Sequence, residues 1–120
     1  MMFSFKKIFD DNSHNNKVVV IDRSINTKSE LFSFFNKELN FPNYFGHNWD
    51  ALDECLADYD YEKISKLVLY HEDLPLLSIN DLKIYIQTLR DLEDEIGHDK
   101  IEILFNPQKR LEIERTLKSI

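Results

Sequence analysis

Glycine is scarce in this chain: Gly46 and Gly97 are the only two. A phosphate-cradling P-loop and a dinucleotide-binding fingerprint each need several glycines, so both are excluded. Cysteine is scarcer still. Cys55 stands alone, so no intrachain disulfide forms and a reducing compartment is expected. No stretch approaches the roughly 20 apolar residues of a membrane span. The opening Met1-Met2-Phe3-Ser4-Phe5-Lys6-Lys7-Ile8 lacks an apolar run of signal-peptide length. A cytoplasmic protein is the expectation.

The scarcity with most to say is local. From Glu38 to Glu62 there is no Lys or Arg, and Glu38, Asp50, Asp53, Glu54, Asp58, Asp60 and Glu62 are all acidic. Like charges repel by roughly 0.7 kcal/mol per pair at about 6 Å in a water-like dielectric. A positively charged partner would remove that repulsion. The net charge of −7 argues against general nucleic-acid binding, which needs a basic footprint, and against adhesion to an anionic membrane. It suits a basic protein partner, although solubility alone would also account for it.

What is present fits one domain. The 120 residues, 42% hydrophobic and 31% charged, suffice for a single modest core. Residues 10–16 are a polar break after a short extension whose Phe3, Phe5, Ile8 and Phe9 could pack onto the body. Residues 17–22, 66–70 and 101–105 read as strands buried on both faces. Thr27-Lys28-Ser29-Glu30 is a capping box that opens a helix to about Asn40, with Leu31, Phe34, Phe35 and Leu39 inward. Phe41-Pro42 stops it. A shorter helix should run from His47 or Asn48 to about Asp58. Ser78 starts a long helix with Leu82, Tyr85, Ile86, Leu89, Leu92 and Ile96 on its inner face, and Gly97 caps it. Pro107 opens a last helix with Leu111, Ile113 and Leu117 on its apolar side. Strands alternating with helices imply a small three-stranded parallel α/β sheet. Residues 1–16 and 107–120 are expected to flank a domain of residues 17–106, with the C-terminal helix packed on it.

In the short helix Asp50, Glu54 and Asp58 fall at i, i+4 and i+8 on one stripe, opposite Trp49, Leu52 and Leu56, with Cys55 open as a further member of that side. Three readings stay open. The stripe is a plain solvated face, a carboxylate pair for general acid–base chemistry, or a docking face for a cationic site, where carboxylates imitate phosphate. Gly46 is expected to take a positive-φ turn. Tyr44 and Trp49 are residue types of interface hot spots, with core packing as the alternative; Phe45 is expected in the core. Cys55 is expected to be a small core residue rather than a nucleophile. His14, His47, His71 and His98 lack zinc-ligand spacing. His71-Glu72-Asp73 could hold a divalent cation, as many loops could. No metal or cofactor is expected. Asp91, Glu93, Asp94 and Glu95 form a second acidic cluster.

Phe41-Pro42-Asn43-Tyr44-Phe45-Gly46-His47-Asn48-Trp49-Asp50-Ala51-Leu52 closely resembles the Pro-x-Tyr-aromatic-Gly-x-Asn-x-Asp-Ala-Leu pattern of the barstar family of intracellular ribonuclease inhibitors. The element order over residues 17–105 is similar too. The resemblance implies a barstar-like fold and no enzymatic activity of its own. It implies a helix and preceding loop that plug the active site of a basic ribonuclease, acids taking the place of substrate phosphates. Carried over by position, Tyr44 matches the aromatic of the binding loop. Asn48 and Asp50 match polar residues leading into the binding helix. Glu54 stands where the family's dominant aspartate does, and Glu93 is a counterpart of an acidic contact on the later helix. Asp53 replaces a tryptophan and Trp49 a leucine. The expected partner-binding set is Tyr44, Asn48, Trp49, Asp50, Asp53, Glu54, Asp58 and Glu93, on a protein that is monomeric when free. The expected function is a bacterial immunity protein or antitoxin against a basic ribonuclease or related nuclease toxin. The alternatives are an interaction or regulatory module with a non-nuclease partner and, more remotely, a small enzyme using the carboxylate stripe.

Overall fold

A computed structural model describes residues 4–5, 15–42 and 46–118. Its elements are β1 (Ser4–Phe5), β2 (Asn16–Ile21), α1 (Lys28–Leu39), α2 (Trp49–Ala57), β3 (Lys66–His71), α3 (Ile79–Ile96), β4 (Ile101–Phe105), a 3-10 turn (Pro107–Lys109) and α4 (Arg110–Lys118). The three expected strands β2, β3 and β4 form one parallel sheet, and helices pack against it. A fourth strand, two residues long, joins at the edge in the order β1-β4-β3-β2, also parallel. Val18 lies opposite Val68 and Leu69 opposite Ile103.

Strand alternation divides the sheet residues between two faces. Val19, Ile21, Leu67, Leu69, Ile101, Ile103 and Phe105 join the main core with the helices. Val68, Tyr70 and Leu104 form a smaller cluster on the opposite face, with Val18 against it. The reading of β2 as buried on both faces is corrected at Val20, which is 42% exposed. Among the described residues β2 is an edge strand with only β3 beside it.

The helix starts follow their caps. Thr27 Oγ1 accepts from the Glu30 N–H at 3.1 Å, and Asn26 N–H donates to the Glu30 carboxylate at 3.3 Å. Ser78 Oγ accepts from the Asp81 N–H at 3.2 Å. α1 ends at Asn40 in the left-handed region (φ 52) and α3 ends at Gly97 (φ 104), where glycine avoids a strained Cβ. On α1 the buried set is Leu31, Phe32, Phe35 and Leu39. Phe32 therefore takes the inward place expected of Phe34, which is half-buried against the core. On α4 Ile113 is buried, while Leu111 is 58% exposed and leaves the expected apolar side. Of the N-terminal aromatics, Phe5 packs on Phe105 with ring centroids 5.9 Å apart, and the Arg110 guanidinium lies 5.2 Å above its ring. Phe3, Ile8, Phe9 and Phe45 lie outside the described residues.

At the C-terminal end of β3 the core holds one polar pair. His71 is fully buried and stacked on Phe105 at 4.4 Å. Its Nδ1 lies 3.0 Å from the Leu104 carbonyl and its Nε2 2.6 Å from the Tyr85 hydroxyl. The arrangement suits a neutral ring whose Nδ1–H donates to Leu104 and whose Nε2 accepts from Tyr85. Burial pushes the ring's pKa down to about 4 and the Tyr85 phenol well up.

Candidate partner-binding site

α2 carries the site. Asn48 caps it: its side-chain oxygen accepts from the Ala51 N–H at 2.8 Å, and its carbonyl accepts from the Leu52 N–H at 2.9 Å. The residue before the cap supplies the turn. His47, at φ 50, occupies the left-handed region, whereas Gly46 does not. The expected role of Gly46 is corrected accordingly. A Cβ there would lie 3.2 Å from Asn48 Nδ2, so glycine makes room for the capping side chain. Asp58 ends the helix, its N–H donating to the Glu54 carbonyl at 2.9 Å, and the Tyr61 hydroxyl donates to the Leu56 carbonyl at 2.7 Å.

The inner side of α2 buries Leu52, Cys55 and Leu56. Cys55 is a core residue, and burial, then Glu54 and Asp58, raise the pKa of its thiol, which suppresses the reactive thiolate. Trp49 is half-buried. Its ring meets Phe32 edge-on at 4.9 Å and Tyr85 at 6.2 Å, tying α2 to α1 and α3. Its Nε1 is buried with no hydrogen-bond partner among the described residues.

The outer side exposes Asp50, Glu54 and Asp58 together. Asp53 is half-buried in a groove of about 220 Å³ between α2 and α3, lined also by Asp50, Ile84, Thr88 and Asp91. Its pKa is raised, first by burial and then by Glu95, Asp91, Asp50 and Glu54. Among the described residues none of Asp50, Asp53, Glu54 and Asp58 forms an ion pair. The neighbouring acids Asp60 and Asp91 do, with Lys63 at 3.6 Å and Arg90 at 4.0 Å. A larger cavity of about 680 Å³ lies on the other flank of α2, with Glu54 and Asp58 on its border.

The eight expected contact residues therefore divide. Asp50, Asp53, Glu54 and Asp58 share one acidic face, with Asn48 exposed at its start and Trp49 packed beneath it. Tyr44 lies outside the described residues. Glu93 is turned inward, 4% exposed on the buried row of α3 with Ile86, Leu89 and Leu92. Asp91 takes its place beside α2. Sequence spacing carries the signal for both: Glu93 is four residues after Leu89, while Asp91 shares a stripe with Ile84 and Thr88. His71 is withdrawn from any cation site by its burial, and Asp73 is paired with Lys109 at 3.0 Å. Among the described residues no cluster of His, Cys, Asp and Glu is placed to hold a metal ion. None of their helices is long and apolar enough to cross a membrane.

The architecture defines a small parallel α/β protein with an acidic helix on its surface. The sequence profile described as "Barstar (barnase inhibitor)" matches residues 16–108, and the chain belongs to the barstar family. No curated relative matches the chain.

Proposed function

We propose that the protein is an intracellular inhibitor, an immunity protein or antitoxin, that blocks the active site of a basic ribonuclease or related nuclease toxin. α2 and the loop before it, including Tyr44, form the contact, and Asp91 replaces Glu93 as the contribution of α3. The carrying observation is the exposure of Asp50, Glu54 and Asp58 on one stripe, without ion pairs among the described residues, beside a half-buried Asp53. The family description, a barnase inhibitor, supports the same class of partner. Acids held this close raise the energy of the free protein. A site lined by Arg and Lys, built for phosphates, relieves that repulsion with charge-assisted hydrogen bonds.

The test is inhibition of barnase and a panel of basic ribonucleases by the full chain. The expected result is stoichiometric inhibition with an association rate that falls steeply as salt rises. A second reading keeps the face and changes the partner to a basic protein that is not a nuclease. It is favoured by Asp53 and Glu54, which depart from the tryptophan and aspartate of the resemblance. Binding of such a protein without inhibition of any nuclease in the panel would decide for it.

A further inference from the structure

We propose that the cavity at the C-terminal ends of α1 and α2 receives an arginine side chain of the basic partner. This rests on the reading above and adds to it a point of insertion on the flank of α2 away from Asp53, where Glu54 and Asp58 of the stripe form the border.

Three independent features select the occupant. The first is shape. At about 680 Å³ the cavity is within the range of sites that enclose small organic groups, roughly 300–1,000 Å³. It has room for a long side chain and part of the peptide that carries it. Phe41, Pro42, Ala51 and Tyr59 supply apolar and aromatic walls.

The second feature is formal charge. Glu54, Asp58 and Asp60 border the cavity, and among the described residues Lys63 is the one cation that lines it, held to Asp60 at 3.6 Å. The third is the backbone. α1 ends at Leu39 and Asn40, and α2 ends at Ala57 and Asp58. Leu39, Asn40 and Asp58 all line the cavity, so two helix C-termini converge on it. Each carries partial negative charge from its terminal carbonyls and favours a cation. The last turn of α2 contains no basic residue that would serve this role internally.

The second and third features disfavour an anion. Between the two cationic side chains, the walls favour arginine. Its guanidinium is planar, less strongly hydrated than an ammonium, and stacks on aromatic faces such as that of Tyr59. Its methylene stem covers apolar wall while the head reaches Glu54 and Asp58.

Butylguanidinium is the probe for the free protein, with its uncharged isostere butylurea as control. In amide NMR titrations of the full chain, butylguanidinium is expected to give saturable shifts at Ala51, Cys55 and Tyr59. The double variant Asp58→Asn, Asp60→Asn should weaken it at least threefold, and butylurea should not bind. Absence of saturable shifts at these residues, or equal binding of butylurea, overturns the proposal whatever partner is found.

With the nuclease inhibited in the assay above, Ala51→Leu, which adds three carbons to the cavity wall, should weaken the complex tenfold or more through faster dissociation. Its melt is measured alongside, and the wild-type probe titration stands even where the variant is unstable. If Glu54→Ala weakens the complex while well-folded Ala51→Leu and the Asp58, Asp60 double variant do not, the cavity assignment fails and the acidic-face reading survives. If none of the three weakens it, both fail.

Discussion

At the scale of single residues, two titratable groups, one buried and one half-buried, act in opposite senses. His71 is held neutral between the Leu104 carbonyl and the Tyr85 hydroxyl, with its pKa pushed down to about 4 from an ordinary 6.5. The unfolded chain binds the proton more readily, so this stabilisation is complete above about pH 6.5 and is lost as pH falls toward about 4. Up to about 3 kcal/mol is involved. The His71 ring should therefore titrate near pH 4 when followed by NMR; a ring that protonates above pH 6 would contradict its described surroundings. Asp53 runs the other way. Its raised pKa means that the folded state binds the proton more readily, so its ionised form costs stability above the folded pKa. Asp53→Asn should stabilise the free protein at neutral pH by about 0.5 kcal/mol, the scale of a relieved like-charge pair on a helix, as read by urea denaturation. A lower denaturation midpoint would show that the Asp53 carboxylate has a favourable partner.

At the scale of elements, sequence and structure agree at helix ends whose caps have their own local chemistry. Thr27, Ser78 and Gly97 are found at the ends expected of them because capping is decided by neighbours two or three residues away. The misreadings have a different cause. β1 is too short to show periodicity, and only pairing with β4 makes Ser4–Phe5 a strand. Phe32 and Phe34 are equally apolar, and the position of Trp49 decides which is buried. Composition groups Glu93 with its acidic neighbours, whereas its spacing from Leu89 puts it on the inner row. The same distinction governs α2. Asn48 has a capping duty whatever it contacts in a complex, so Asn48→Ala should cost about 1 kcal/mol of stability in a thermal melt. Any loss of partner affinity in that variant then includes disorder of the first turn of α2. An unchanged melting temperature would mean the cap is dispensable.

At the scale of the whole molecule, Trp49 ties α2 to α1 and α3 while the outer face of α2 exposes Asp50, Glu54 and Asp58 without ion pairs among the described residues. The candidate site was legible in the sequence where it depends on a single helix: Asp50, Glu54 and Asp58 follow from a spacing of four. The contribution of α3, the groove around Asp53 and the cavity behind Glu54 depend on how helices pack, which no local pattern states. The proposed function separates binding from stability at Glu54. Removing that exposed carboxylate relieves repulsion from Asp50 and Asp58, so the free protein should melt no lower. It should also remove a contact of the hot-spot class, worth about 2 kcal/mol or more in a nuclease complex. The decisive measurement is therefore a titration of Glu54→Ala against the inhibited ribonuclease, with a thermal melt of the same sample. The account predicts affinity weaker by at least about 30-fold, the equivalent of that 2 kcal/mol, with an unchanged or higher melting temperature. A lower melting temperature with undiminished affinity would place Glu54 in the scaffold and contradict the account.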